Sequence, residues 1–118
     1  MRPEERDYAY LEDLLRLARE TVQRTDERPP AMGFDDPFFL GWLESRFIKM
    51  GEAVRRLSSA TRERHAHVPW QDVIDLRNVL AHRYDDIHHD TLIVIPGRDV
   101  PRLIAQLEPI VAALPPPD

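Results

Sequence analysis

The stretch "DDPFFLGWLESRFIKMGEAVRRLSSAT", Asp35 to Thr61, decides the fold. Phe39, Leu43, Phe47, Met50, Val54 and Leu57 recur at steps of three and four residues, which gathers them on one face of an α-helix. Asp36 can cap its amino end, and Pro37 fits the first turn, where a missing N–H costs nothing. The stripe reads as core. Gly51 in the helix interior costs about 1 kcal/mol against alanine, so its presence predicts close approach of a second helix.

Upstream, Tyr8, Leu11, Leu15, Ala18 and Val22 form the apolar face of a first helix ending before "DERPPAMG", where two adjacent prolines close it. Downstream, "RHAHVPW" reads as a loop leading into a helix from about Pro69 to Tyr84, with Val73, Leu76, Leu80 and Tyr84 inward; "DDIHHD" interrupts it. The run "TLIVI" has β-branched character, but a lone strand would leave its backbone unpaired, so a short helix is expected there. "PGRD" breaks it, Asp99 can cap, Pro101 sits in the first turn, and "RLIAQLEPIVAAL" forms a last helix that "PPPD" terminates. The expected fold is all-α: an antiparallel bundle of four main helices with a short extra helix, one domain over residues 1–118.

The 118 residues are 42% hydrophobic and 31% charged, as in ordinary globular domains, and no apolar run approaches the roughly 18 residues of a membrane helix. The absence of cysteine excludes disulfides and thiolate metal sites, and the charged start "MRPEERDYAY" lacks the apolar core of a signal peptide. A cytoplasmic protein is expected. Net charge is −5, against general nucleic-acid binding, but Arg46 to Arg83 holds 8 basic and 4 acidic residues. That middle segment is therefore +4 and the flanks together −9.

The basic segment runs into "DLRNVLAHRYDD", Asp75 to Asp86, where arginine, histidine and tyrosine crowd onto a helix that otherwise reads as buried. Arg77 lies four residues after Val73 and three before Leu80, beside the inward stripe, where a lone guanidinium is costly unless paired. His82 is five residues on, about 140° round the helix, whereas Asn78 and His82 are four apart and share a face. Either the helix loosens before His82, or a composite site draws these groups from two copies of the chain.

At these residues the sequence resembles the HepT toxins of the HEPN superfamily, whose mark is an arginine and a polar residue, then histidine, then tyrosine two residues later. Here the pattern is "RNVLAHRY", with Arg77, Asn78, His82 and Tyr84, preceded in order by "GEAVRRLS" and "RERHAHVPWQDVIDLRN". The "ERPPAMG" loop and the "HHD" pair depart from the family's pattern. The resemblance implies a helical bundle that dimerises with its motifs facing across a cleft, metal-independent RNA cleavage that halts growth, and an MntA-type nucleotidyltransferase antitoxin. It also implies that this partner silences the toxin by transferring AMP groups from ATP to Tyr84.

The chemistry suits the residues. Cleavage by attack of the RNA's own 2′-hydroxyl on phosphorus requires a base, an acid and a cation for the developing charge. His82 titrates near neutrality, Arg77 offers a bidentate fork, and Asn78 can fix the ring or hold the phosphate. Arg55, Arg56 and Arg83 are the candidate substrate-binding cations. Plainer readings stand beside these: Arg77 paired with Glu52 or another core acid, Tyr84 a core tyrosine, and the pairs His65 with His67 and His88 with His89 solvated. A metal reading has little support, since no HExxH spacing occurs, and motifs for dinucleotides, P-loops or serine nucleophiles are absent. No cofactor is expected. The competing function is a non-catalytic helical module that binds nucleotide or positions a partner transferase.

Overall fold

The computed structural model describes residues 3–28, 36–82 and 95–114. They form α1 (Pro3–Glu27), α2 (Pro37–Arg55), a short α3 (Ser59–Arg64), α4 (Trp70–His82), a π-helical turn (Ile95–Asp99) and α5 (Val100–Ala113). Among the described residues there is no strand, and the four long helices make the expected all-α bundle.

The central stretch folds as its periodicity requires. Phe39, Leu43, Phe47, Met50, Val54 and Leu57 are all buried. The Asp36 carboxylate accepts the Phe39 N–H at 2.9 Å, with Pro37 in the first turn. α2 lies between α1 and α4, and α1 also packs on α5. Its direction against α1 is fixed by cross-contacts: Arg46 reaches Glu20, Trp42 meets Arg24, and Ser58 bonds Asp7. Chain numbers rise on one helix as they fall on the other, so the pair is antiparallel.

On α1 the inward residues are Leu11, Leu14, Leu15, Leu17 and Ala18, while Tyr8 and Val22 are half-buried. Buried Thr21 and Thr25 donate to the carbonyls of Leu17 and Thr21 at 2.8 and 2.7 Å, so neither hydroxyl is left unsatisfied. Gly51 behaves as its propensity cost implied: a Cβ there would sit 2.1 Å from Arg77 Cβ and 3.2 Å from the Val73 carbonyl. α2 and α4 meet backbone to backbone at this point.

A short helix the sequence did not predict is α3; the one expected at "TLIVI" lies outside the described residues but for Ile95, which opens the π-helical turn. The chain leaves α2 at Arg56 because Ser58 is recruited as the cap of α3, accepting the Thr61 N–H at 3.2 Å. Asp7 of α1 holds that cap, accepting the Ser58 N–H at 2.8 Å, Ser58 Oγ at 2.6 Å and the Thr61 hydroxyl. Burial works to raise the Asp7 carboxyl, but the hydrogen bonds from Ser58 and Thr61 outweigh it and hold the group below its ordinary value. At the other end of α3, Trp70 Nε1 donates to the carbonyls of Arg62 and His65 at 3.1 and 3.0 Å. Asp99 does not cap α5 with its side chain; its carboxylate takes Arg98 at 3.0 Å instead, while Pro101 occupies the first turn as expected. No described helix is long and apolar enough to cross a membrane.

Candidate functional site

Arg77 projects from α4 where Gly51 lets that helix press on α2, and this brings it to Glu52. Its Nε donates to Glu52 Oε1 at 2.8 Å, its Nη2 lies 2.5 Å from the same oxygen as an ion pair, and its Nη1 donates to Asn78 Oδ1 at 3.0 Å. The side chain is 16% exposed and that of Glu52 32%. A guanidinium so covered requires this partner, and the pairing with Glu52 is the one the plainer sequence reading anticipated. Among the described residues these hydrogen bonds use two of the five N–H donors of a guanidinium.

α4 stays helical through His82, so the sequence's first option, a helix that loosens before the histidine, is not what the backbone does. Asn78 and His82 therefore share a face, and the His82 position is about 140° round from Arg77. Arg83, Tyr84, His88 and His89 lie outside the described residues.

The two candidate cations on α2 part company. Arg55 Nη1 stands 3.9 Å from Glu52 Oε1 and so borders the Arg77 cluster, half-exposed. Arg56 turns to the α1 side, its guanidinium 5.9 Å from the Tyr10 ring centroid. The structure thus assembles Arg77, Asn78, Glu52 and Arg55, and leaves Arg56 on the other flank of α2. Glu52 was legible only as one of several acids that could pair Arg77. The signal was its place beside Gly51, since the residue after a close-approach glycine is well placed to reach the helix that approaches.

His65 and His67 meet edge to face with ring centroids 6.2 Å apart. Burial, with repulsion from His67 and Arg64, lowers the His65 pKa, so it is neutral near pH 7. Among the described residues, no three His, Cys, Asp or Glu side chains gather into a metal-holding group.

Chemically, Arg77 is a mostly covered cation backed by a carboxylate, with a second cation, Arg55, on the same carboxylate. That arrangement suits an oxyanion such as a phosphodiester.

Comparison with known proteins places the chain. A candidate RNase of Methanocaldococcus jannaschii is 28% identical over 100 residues, covering 85% of this chain and 92% of the relative. A candidate RNase of Caldanaerobacter subterraneus subsp. tengcongensis is 28% identical over 105 residues, covering 86% and 90%. A larger Methanocaldococcus jannaschii protein, named as both a gamma-glutamylcyclotransferase and a candidate RNase, is 25% identical over 99 residues, 80% of this chain and 45% of its own length. No solved structure gives a significant match. The family model described as "Ribonuclease HepT-like" matches residues 9–110, from the first turns of α1 almost to the end of α5 and across the whole arginine-histidine motif. The chain belongs to the HepT-like ribonuclease family, an RNase of the HEPN type.

Proposed function

We propose that the chain is the toxin of a toxin-antitoxin pair: a cytoplasmic, metal-independent endoribonuclease whose site is built from Arg77, Asn78 and His82 at the cleft of a homodimer. The observation that carries this is the seating of Arg77. It is held by Glu52 against α2, bonded to Asn78, and still has N–H groups to offer a phosphate. In the reaction, His82 takes the proton of the 2′-hydroxyl as its oxygen attacks phosphorus, Arg77 neutralises the equatorial oxygens, and the 5′-oxygen leaves after protonation by the partner's His82. The products are a 2′,3′-cyclic phosphate and a 5′-hydroxyl. The dimer is supported by the regular helix through His82, because the angular offset between Arg77 and His82 on one helix is resolved if each copy completes the other's site.

Regulation by an MntA-type nucleotidyltransferase that adds AMP to Tyr84 belongs to the same proposal. A phenol accepts the nucleotidyl group with loss of pyrophosphate from ATP, and the added phosphodiester brings a lasting negative charge to a site meant for RNA phosphate. Arg83 and Arg55 are the cations that would engage substrate nearest the motif, with Arg56 further along α2.

Expression of the chain should arrest growth, and His82→Ala should not, at equal folded yield. Co-expression with the transferase should restore growth and add AMP mass at Tyr84, and Tyr84→Phe should escape that rescue. Rescue with Tyr84 unmodified would mean silencing by occlusion, against the proposed regulation; arrest by folded His82→Ala would contradict the site.

A further inference from the structure

We infer that the seam between α1 and α2 is the track along which the RNA strand runs away from the Arg77 site, an inference that rests on the ribonuclease reading. Arg46, Lys49, Ala53 and Arg56 follow one another at steps of three, four and three residues, so they share the face of α2 that borders α1. With Tyr10 of α1 they line a groove of about 330 Å³. Glu52 is a wall of that groove and also the partner of Arg77, so a strand held on the motif arginine passes directly into the seam.

The charges of the seam are not evenly matched. Arg16 is met by Asp13 at 3.6 Å and Glu20 at 3.1 Å, and Arg46 by Glu20 at 3.6 Å, so these four cancel among themselves. Glu52 is committed to Arg77 and Arg55. Lys49 and Arg56 are exposed and have no ion pair among the described residues, which leaves two uncompensated cations facing water. One aromatic ring lines the same groove, that of Tyr10, with the Arg56 guanidinium 5.9 Å from its centroid. Trp42, further along α2 and outside the lining, is already met by Arg46 at 5.7 Å, Arg24 at 5.8 Å and the Phe39 ring at 6.2 Å. From Arg46 to Arg56 is ten residue steps along α2, about 15 Å at 1.5 Å each.

Unpaired cations flanking an aromatic ring suit a polymer that repeats phosphate and base. Phosphates are drawn to Lys49 and Arg56, and an unstacked base can lie against Tyr10. An acidic protein surface would use the cations but would have no need of the ring, so single-stranded RNA is the occupant the seam fits best.

The test is binding of a fluorescently labelled single-stranded RNA of twelve nucleotides to His82→Ala protein, which binds without cutting, across a salt series. Changing Lys49→Gln together with Arg56→Gln should weaken binding at least tenfold. It should also flatten the slope of log K against log salt by about 1.4, because each phosphate that is no longer neutralised lowers the slope of a single strand by about 0.7. Tyr10→Leu, which keeps apolar packing, should weaken binding several-fold with the slope unchanged. Arg102→Gln, an exposed cation on α5, should change neither quantity. Unaltered affinity and slope in the double variant would overturn the inference, as would an equal loss in Arg102→Gln, which would mean diffuse attraction to charge. Cleavage of the dinucleotide UpA by the wild-type protein, a substrate too short to reach along the seam, reports on the ribonuclease reading separately. Wild-type protein that cleaves no RNA would take both down together.

Discussion

Arg77 has a structural seat and, on the proposed function, a chemical task as well. Its side chain is mostly covered, and a guanidinium in that position is tolerable because Glu52 pairs with it and accepts its Nε–H while Asn78 accepts from Nη1. The same contacts hold the remaining donors in one orientation, which is what a phosphate site needs in advance of its ligand. On the proposed function, Glu52 is a positioning residue. Glu52→Ala should cost about 1–2 kcal/mol of stability, modest because Glu52 itself is nearly one-third exposed, and should slow RNA cleavage at least tenfold. Thermal melts and single-turnover rates measure the two effects; an unchanged rate in a destabilised variant would make the pair purely structural. The sequence made Arg77 conspicuous because a charge beside an apolar stripe demands explanation. It did not single out Glu52, since pairing across helices depends on their register, which periodicity alone does not set.

At the scale of elements, Gly51 sets the distance between α2 and α4. The neighbour its missing side chain makes room for is the Cβ of Arg77, 2.1 Å from where a new Cβ would stand, and a Cβ cannot swing aside as a flexible tip can. Gly51→Ala should therefore destabilise by about 1–3 kcal/mol, although alanine is favoured over glycine by about 1 kcal/mol in an open helix, and should move Arg77 off Glu52. Denaturant unfolding decides the sign; a stabilised variant would show that the helices have room to spare. A second joint is the Asp7 clasp on Ser58 and Thr61, which fastens α1 to the start of α3. Asp7 has a depressed pKa in the folded protein, so its contribution is present above its unfolded value, ordinarily 3.8, and is lost as pH falls through the folded value. Asp7→Asn should cost about 1–3 kcal/mol near neutrality, and the gap from wild type should close as the pH drops below about 4. A gap independent of pH would refute the charged clasp. α2 was legible almost whole, because one long stripe, one cap and one glycine agreed. α3 was missed because six residues hold too few turns to show a period, and the carboxylate that holds its Ser58 cap comes from Asp7, fifty-one residues away.

Across the whole molecule, charge is distributed so that an acidic protein of net −5 presents a basic middle, and α2 carries that charge between the motif helix and the α1 seam. One chain holds Arg77 and His82 on different sides of a regular helix, and an isologous dimer would set two such motifs and two basic segments about one cleft. Sedimentation equilibrium at micromolar concentration should give twice the mass of the 13.8 kDa chain, and an active preparation that is wholly monomeric would rule out the shared site. Family membership makes the bundle a ribonuclease scaffold; Arg77 and His82 are the residues on which its chemistry is proposed to turn. The most direct measurement is to incubate the purified protein with single-stranded RNA in excess chelator, beside folded His82→Ala, and to identify the product ends. Wild type should cut and leave 2′,3′-cyclic phosphates, with cleavage by His82→Ala reduced at least a hundredfold. Equal cleavage by His82→Ala, or cleavage abolished by the chelator, would contradict a metal-independent site built on this histidine.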